Sequence, residues 1–344
     1  MTEFDPAILR ILDANLNRAG EALRVWEDYA RFQLEDRRLS ESIKQLRHNL
    51  TAIVPQQVRS CMIYHRDSVG DVGKTIETSS EYQRTDTWDI AQANGQRATQ
   101  ALRTIEEYSK PFNSEFARRA EVIRYELYDL QRRLHIIHGA QERFGRARLY
   151  VIITESLCNQ GWYETAQAAI QGGADVIQLR EKTLTDRELT KRAMNLASLC
   201  RQHGVLFIIN DRPDIARLTS AHGLHLGQSD MPLTDARRLL PAHMIIGLST
   251  HTPEQLERAI EQAPDYIAIG PMFATPTKPQ HHTPGPTLLT QAAQLTSLPL
   301  VAIGGIDSTN ISIISAHAPR ACLCVCSSVI SAIDPAAAAA NLCT

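Results

Sequence analysis

Between residues 149 and 327, eight short apolar runs alternate with polar, helix-like stretches. The runs are LYVIIT (149–154), ADVIQLR (174–180), LFIIN (206–210), GLHL (223–226), MIIGLS (244–249), YIAIG (266–270), PLVAIG (299–304) and ACLCVCS (321–327). Helical patterns fall between most of them, clearest at 162–171, 186–203 and 253–262. Eight parallel strands with alternating helices in about 200 residues predict a closed (β/α)8 barrel at the compact end of its range. An open doubly wound sheet is the alternative, but it uses fewer strands and a Gly-rich first turn. TESLCNQG after the first run is not such a turn.

The sequence changes character near residue 145. Residues 1–145 hold 43 charged residues and six of the 17 Gly, against 31 charged residues in 146–344. A charged, Gly-poor segment reads as helices, so an all-α domain over 1–140 is expected ahead of a barrel domain over 146–344. The first part also repeats itself. ANLNRAGEALRVWEDY (14–29) and ANGQRATQALRTIEEY (93–108) agree at nine of sixteen positions, among them Asn15/Asn94, Arg18/Arg97, Arg24/Arg103, Glu27/Glu106 and Tyr29/Tyr108. Helical patterns at 39–54 and 114–138 follow the copies, which predicts two related helical hairpins in a bundle. At 100° per residue Asn15, Arg18, Ala22 and Tyr29 share a face, as do Asn94, Arg97, Ala101 and Tyr108. The expectation is a polar seam between the hairpins; an anion- or partner-binding groove is the sharper alternative. The polar stretch 66–87 reads as an exposed loop. Its GDVGKT lacks the earlier glycine of a phosphate loop, Ser68 standing there, so no nucleotide loop is expected.

A formal charge of −2 gives no electrostatic footprint for nucleic acid. No apolar run reaches the roughly 18 residues of a membrane span. MTEFDPAILR lacks the basic and apolar regions of a signal peptide. Seven Cys, three of them alternating at 322, 324 and 326, make a poor disulfide framework. A cytoplasmic chain acting on small molecules is expected, with no nucleic acid or membrane partner and with a homo-oligomer left open. The three alternating cysteines read as small core residues.

Polar residues gather at the C-terminal ends of the runs, the mouth where barrel enzymes hold their chemistry. Asp211 and Asp230 end adjacent strands, about 4.8 Å apart in a parallel sheet, and can share a hard cation such as Mg²⁺; two helix N-caps are the bland alternative. Arg180, Lys182 and Lys278 add cations suited to a diphosphate. Gly304-Gly305 and Ser327-Ser328 stand where barrels bind a phosphate monoester through backbone N–H groups. Gln178, Asn210 and Ser249 are neutral hydrogen-bonders able to orient a heteroaromatic ring. Ser249 with His251 is a poor triad, because no acidic orienter accompanies them. The Pro-rich stretch 270–286 suits a closing lid, with His281 and His282 expected to be exposed.

QLREK (178–182), NDR (210–212), GLHLGQSDMP (223–232), IGLSTH (246–251), GPMFATPTKP (270–279) and VAIGGI (301–306) resemble the successive motifs of thiamine-phosphate synthase. The likeness runs from about 146 to the end, and the first 140 residues resemble the extra helical region of long forms of the synthase. It implies a TIM barrel that uses Mg²⁺ to join a pyrimidine diphosphate to a thiazole phosphate, with or without a carboxylate on the thiazole. Carried over by motif, Gln178, Arg180, Lys182, Asn210, Ser249 and Lys278 would hold the pyrimidine diphosphate, and Asp211 and Asp230 the metal. Thr275, Thr277, Gly305, Ser327 and Ser328 would hold the thiazole phosphate. The eighth run, CLCVCSSVI, departs from the family's Gly and Val-rich pattern. Two rival readings remain at this point. One is a thiazole tautomerase on the same barrel, which would need a proton-shuttling base and no diphosphate. The other is a non-catalytic ligand sensor.

Overall fold

The computed structural model describes residues 5–67, 69–72, 83–275 and 284–343. The chain divides into two compact units, residues 1–135 and 136–344. Among the described residues no helix is long and apolar enough to cross a membrane.

The first unit is helical. It comprises α1 (Pro6–Asp28), a π-helical turn (Tyr29–Gln33), α2 (Arg37–Ala52), α3 (Gln56–His65), α4 (Thr87–Ser109) and the larger part of α5 (Ser114–Phe144). Asp5, Asp36 and Asp86 cap α1, α2 and α4 by accepting backbone N–H bonds, the usual stabilisation of exposed helix N-termini. The two copies of the internal repeat are α1 and α4, which lie against each other. Trp26 on α1 donates its indole N–H to the carbonyl of Ala91 on α4 at 2.6 Å. Its ring fills the space over Gly95, where a Cβ would come within 2.3 Å of Cζ2.

Repeat identity has a visible cause at two positions. Asn15 and Asn94 each donate to the carbonyl four residues earlier, both at 2.8 Å. Glu27 and Glu106 are buried, and each meets an arginine of the following helix, Arg47 at 3.0 Å and Arg124 at 2.9 Å. A buried carboxylate is tolerated only when paired in this way. These pairs join the two helices of each hairpin and do not form the seam expected between the hairpins. Arg18 and Arg97 are exposed, and Tyr29 is buried while Tyr108 is exposed. Of the expected loop at 66–87 and its GDVGKT, positions 68 and 73–82 lie outside the described residues.

The second unit is a closed barrel of eight parallel strands in sequence order. The strands are β1 (Leu149–Ile153), β2 (Val176–Leu179), β3 (Leu206–Asn210), β4 (Gly223–Leu226), β5 (Ile245–Thr250), β6 (Tyr266–Ile269), β7 (Leu300–Ile303) and β8 (Cys322–Val325). Outer helices follow them: α6 (Trp162–Gln171), α7 (Asp186–His203), α8 (Pro213–Leu218), α9 (Leu233–Leu239), α10 (Pro253–Gln262), α11 (Gly285–Leu295), α12 (Ile311–His317), α13 (Ser327–Ile330) and α14 (Pro335–Ala340). Period-2 alternation sends one set of side chains inward. Tyr150, Ile152, Val176, Ile208, Ile245, Tyr266, Ala268, Val301, Cys322 and Cys324 form that interior. The two cysteines fill space there as small apolar groups, and burial pushes their thiols well above the usual range.

The residues just before β1 close the barrel floor. Phe144 stacks on Tyr266 with centroids 4.4 Å apart. The fully buried Asp265 accepts from Arg143 at 2.5 Å, from Arg237, and from the backbone N–H of Ile246 at 2.8 Å. The last turns of α5 thus belong with the barrel, and the division falls at 135/136, earlier than the change in composition.

Candidate active site

The first group of mouth residues comes from β2, β3 and β4. In the loop after β2, Glu181 and Lys182 of QLREK take different partners. Glu181 accepts from the backbone N–H of Glu155 at 2.8 Å and from Arg192 at 3.3 Å, which ties the loop after β2 to the loop after β1. Lys182 instead reaches across to pair with Asp211. Asp211 follows β3 directly and sits at φ +62°, a left-handed conformation that costs a non-glycine residue energy. The strain turns the chain at the strand end and brings its carboxylate to the side of Asp230. Asp230 is held by the backbone N–H of Gly227 at 2.7 Å. Its carboxyl is pushed above the ordinary range, first by burial and then by its contact with Asp211.

Two carboxylates brought together after β3 and β4 are oxygen donors that would suit a hard divalent cation, with water and substrate oxygens completing its shell, while Lys182 offsets part of their charge. Among the described residues no group of three or more His, Cys, Asp or Glu could hold a metal by itself. The residues fit a metal such as Mg²⁺ that is shared with substrate, not a closed zinc cage.

The second group lines a cavity of about 120 Å³ between β7, β8 and the loop after β6. Thr275, Gly304, Gly305, Ser327 and Ser328 lie on its wall, and Arg180 reaches it from β2. Gly304 and Gly305 adopt φ +100° and +67°, and a Cβ on either would strike Pro271 or Ala274 at under 3 Å, so both positions need glycine. Ser328 Oγ is buried and has no hydrogen-bond partner among the described residues. A buried hydroxyl without a partner costs stability, which marks it as a group that a ligand would satisfy. The departure from the family pattern in the eighth run therefore leaves two serines at this wall.

The remaining expected residues fall into place individually. Gln178 is buried, while Asn210 and Ser249 are half-buried at the ends of β3 and β5. His251 is held by other partners: its Nδ1 lies 2.6 Å from the carbonyl oxygen of Gly270, and its backbone N–H donates to Gln255 Oε1 at 2.7 Å. Thr277, Lys278, His281 and His282 lie outside the described residues.

Three residues at the site were missed by sequence reasoning: Tyr150, His225 and Tyr266. The Gln178 amide donates to Tyr150 Oη at 2.6 Å, and that oxygen lies 3.0 Å from Tyr266 Oη. His225 bridges Tyr266 Oη at 2.9 Å and Ser249 Oγ at 2.8 Å. The available signal was a polar ring at the inward register of runs otherwise apolar.

Known proteins match this arrangement. Residues 149–333 match the thiamine monophosphate synthase family, and residues 10–133 match the ThiD2 family. The thiamine-phosphate synthase of Nostoc punctiforme is 38% identical over 310 residues, 90% of this chain and 86% of its own length. The chain belongs to the thiamine-phosphate synthase family. The synthase of Synechocystis is also 38% identical, over 98% of this chain and 96% of its own. Among solved structures, thiamine phosphate pyrophosphorylase from Pyrococcus furiosus is 31% identical with a TM-score of 0.54, covering 58% of this chain and 95% of its own. As a thiamine-phosphate synthase of the TIM-barrel class, the chain is a transferase of thiamine biosynthesis.

Proposed function

We propose that the barrel, residues 146–344, joins 4-amino-2-methyl-5-(diphosphooxymethyl)pyrimidine to 4-methyl-5-(2-phosphoethyl)thiazole, or its carboxylated form, and releases diphosphate. Residues 1–135 form a separate helical unit. The single observation that carries the reading is the division of the mouth into two anion sites. The Asp211–Asp230 pair with Lys182 suits a metal-bound diphosphate, and the cavity beside Gly304, Gly305 and Ser328 suits a monophosphate. A tautomerase acting on thiazole phosphate alone would need only the second.

Asp211 and Asp230 would hold Mg²⁺. Bound there, the ion supplies positive charge against the diphosphate oxygens. Arg180, Lys182 and Lys278 stabilise the negative charge that grows on the leaving diphosphate, as preorganised electrostatic catalysis. The methylene C–O bond breaks with its electron pair going to diphosphate, and the electron-rich aminopyrimidine ring spreads the positive charge left on the methylene. Gln178, Asn210 and Ser249 orient that ring. The thiazole nitrogen, placed by Thr275, Thr277, Gly305, Ser327 and Ser328 around its phosphate, donates its lone pair to form the C–N bond. With the uncarboxylated thiazole no proton moves, so no general base is required; with the carboxylated form CO₂ also leaves, its electron pair staying on the ring carbon, which takes up one proton from solvent. Water that would otherwise trap the methylene as an alcohol must be kept from the mouth, and the 270–286 stretch, of which 276–283 lie outside the described residues, is the segment that would do so. Seven unpaired cysteines, several buried, suit a reducing cytoplasm.

The test is product analysis with each substrate alone and with both. Thiamine phosphate from the pair supports the reading. An altered thiazole phosphate from thiazole alone would support the tautomerase instead, and binding of either without change would support a sensor.

A further inference from the structure

Between residues 115 and 132, α5 has two distinct faces. Phe116, Ala120, Ile123, Leu127 and Leu130 are buried on one of them. The opposite face is exposed, and at alternating spacings of three and four it reads Glu115, Arg118, Val122, Tyr125, Asp129 and Arg132. At 100° per residue these six fall within about 100° of the helix circumference. They run about 25 Å along the axis.

The stripe is apolar in the middle and charged at both ends. Val122 is 52% exposed, Tyr125 60% and neighbouring Tyr128 39%. Large side chains left open together in the middle of a charged helix face mark a contact surface. Tyr125 and Tyr128 meet edge to face with centroids 5.9 Å apart, and the Arg124 guanidinium lies 5.0 and 5.6 Å from the two rings. These rings are therefore ordered before any partner arrives, which lowers the entropy cost of contact. At the ends, Glu115 accepts from Arg118 at 2.7 Å and from Arg119 at 2.9 Å, and Asp129 accepts from Arg132 at 3.1 Å. Each end thus carries an acid followed by a base.

We propose that two copies of the chain dimerise through α5, packed antiparallel about a twofold axis midway between Val122 and Tyr125. The stripe is its own complement in that one arrangement. Glu115 faces Arg132 of the second copy, Arg118 faces Asp129, and Val122 faces Tyr125, each contact occurring twice as an isologous interface requires. On one flank Arg119 comes beside Glu126 of the second copy, and on the other Glu121 comes beside Tyr128. A groove of about 330 Å³ between α5 and the end of α2 extends the open surface on the first flank, lined by Arg119, Val122 and Glu126 with Asn49 and Ile53. Parallel packing in register would instead oppose Glu115 to Glu115 and Arg118 to Arg118. Sliding the antiparallel pair by seven residues sets both Val122 and Tyr125 against charged residues. Each of these alternatives costs energy, so direction and register follow from the pattern itself.

Two variants of the full-length chain and their mixture test the proposal by sedimentation velocity, over about 1–100 µM, where small interfaces associate. Wild type should sediment as a dimer at the upper end of that range. Arg118→Asp brings two acids together at each end of the dimer, and Asp129→Arg brings two bases together. Each should raise the dimer Kd at least roughly tenfold, because one substitution turns two contacts from attraction to repulsion. An equimolar mixture of the two variants restores opposite charges at both contacts. It should recover a dimer of one chain of each kind, read by energy transfer between differently labelled chains. Circular dichroism verifies that α5 is intact. Val122→Glu, at an exposed apolar position, should weaken the dimer likewise and serves if either charge change loosens the helix. A wild type that stays monomeric to about 100 µM overturns the proposal. So do folded variants that associate as wild type does, or a mixture that stays monomeric where wild type dimerises.

Discussion

The Phe144 ring stacks on that of Tyr266 at 4.4 Å and 14°, so a residue ahead of the first strand buttresses a ring inside the barrel. Phe144 is 1% exposed, and neighbouring Arg143 pairs with the fully buried Asp265. A chain beginning at residue 146 loses both. Truncating a buried Phe costs about 3–5 kcal/mol, and Asp265 is left with Arg237 and the backbone N–H of Ile246, one cation fewer. Urea unfolding of chains starting at 136 and at 146 should therefore differ by about 3 kcal/mol or more, with the longer chain the more stable. Equal midpoints would remove the floor from the account.

Asp211→Ala deletes half of the carboxylate pair. The expected loss in turnover is ~10²-fold or more, about 3 kcal/mol of transition-state stabilisation. Binding of Mg²⁺, read by calorimetry, should weaken in parallel. Near wild-type turnover in this variant would remove the metal assignment.

Asp230 gives the metal site a pH dependence of known sign. Its folded-state pKa is raised above the ordinary 3.8, by burial and by Asp211. Ionised Asp230 therefore costs the metal-free fold stability above that raised pKa. The cost disappears as the pH falls through it toward 3.8, where the unfolded chain also protonates. Metal binding has the opposite dependence, because it needs the carboxylate. Mg²⁺ affinity should fall with decreasing pH, starting at a higher pH than for an ordinary Asp, and binding in that window should release protons. Calorimetry in buffers of different ionisation enthalpy measures the release; none would contradict the coupling.

Ser328→Ala separates a ligand-directed hydroxyl from a structural one. Its Oγ has no partner among the described residues, so removing it should leave the melting temperature unchanged or raise it slightly. KM for thiazole phosphate should rise roughly tenfold, the value of one hydrogen bond to a charged group, while KM for the pyrimidine diphosphate stays put. A loss of stability with no change in KM would give Ser328 a structural role.

Gly95→Ala tests the contact between the two repeats. The new Cβ would lie 2.3 Å from Trp26 Cζ2, and the ring, fixed by its bond to Ala91, has little room to move. Overpacking of this kind costs about 1–3 kcal/mol, to be read by thermal unfolding of the first unit.

Local physics made much of the barrel legible in the sequence. The runs at 206–210 and 223–226 are β3 and β4 residue for residue, and the helical patterns at 162–171, 186–203 and 253–262 are α6, α7 and α10. Apolar periodicity sets these elements, and local caps such as the Thr185–Glu188 capping box end them. Strand ends in a barrel share one mouth, so Asp211, Asp230, Thr275 and Ser328 could be gathered from topology alone. What escaped was nonlocal. His225 sat inside GLHL as one more member of an apolar run, yet its partner Tyr266 is 41 residues away, and Tyr150 meets Tyr266 across 116. The boundary escaped for a similar reason. Composition shifts at 145, but Arg143 is fixed by Asp265, 122 residues later.

Diphosphate release from the purified full-length chain, measured with the pyrimidine diphosphate, the thiazole phosphate or both, with and without Mg²⁺, decides whether the barrel is a synthase. The account expects release only when both substrates and the metal are present, one diphosphate for each thiamine phosphate formed. Well-folded protein that releases none under those conditions would contradict it.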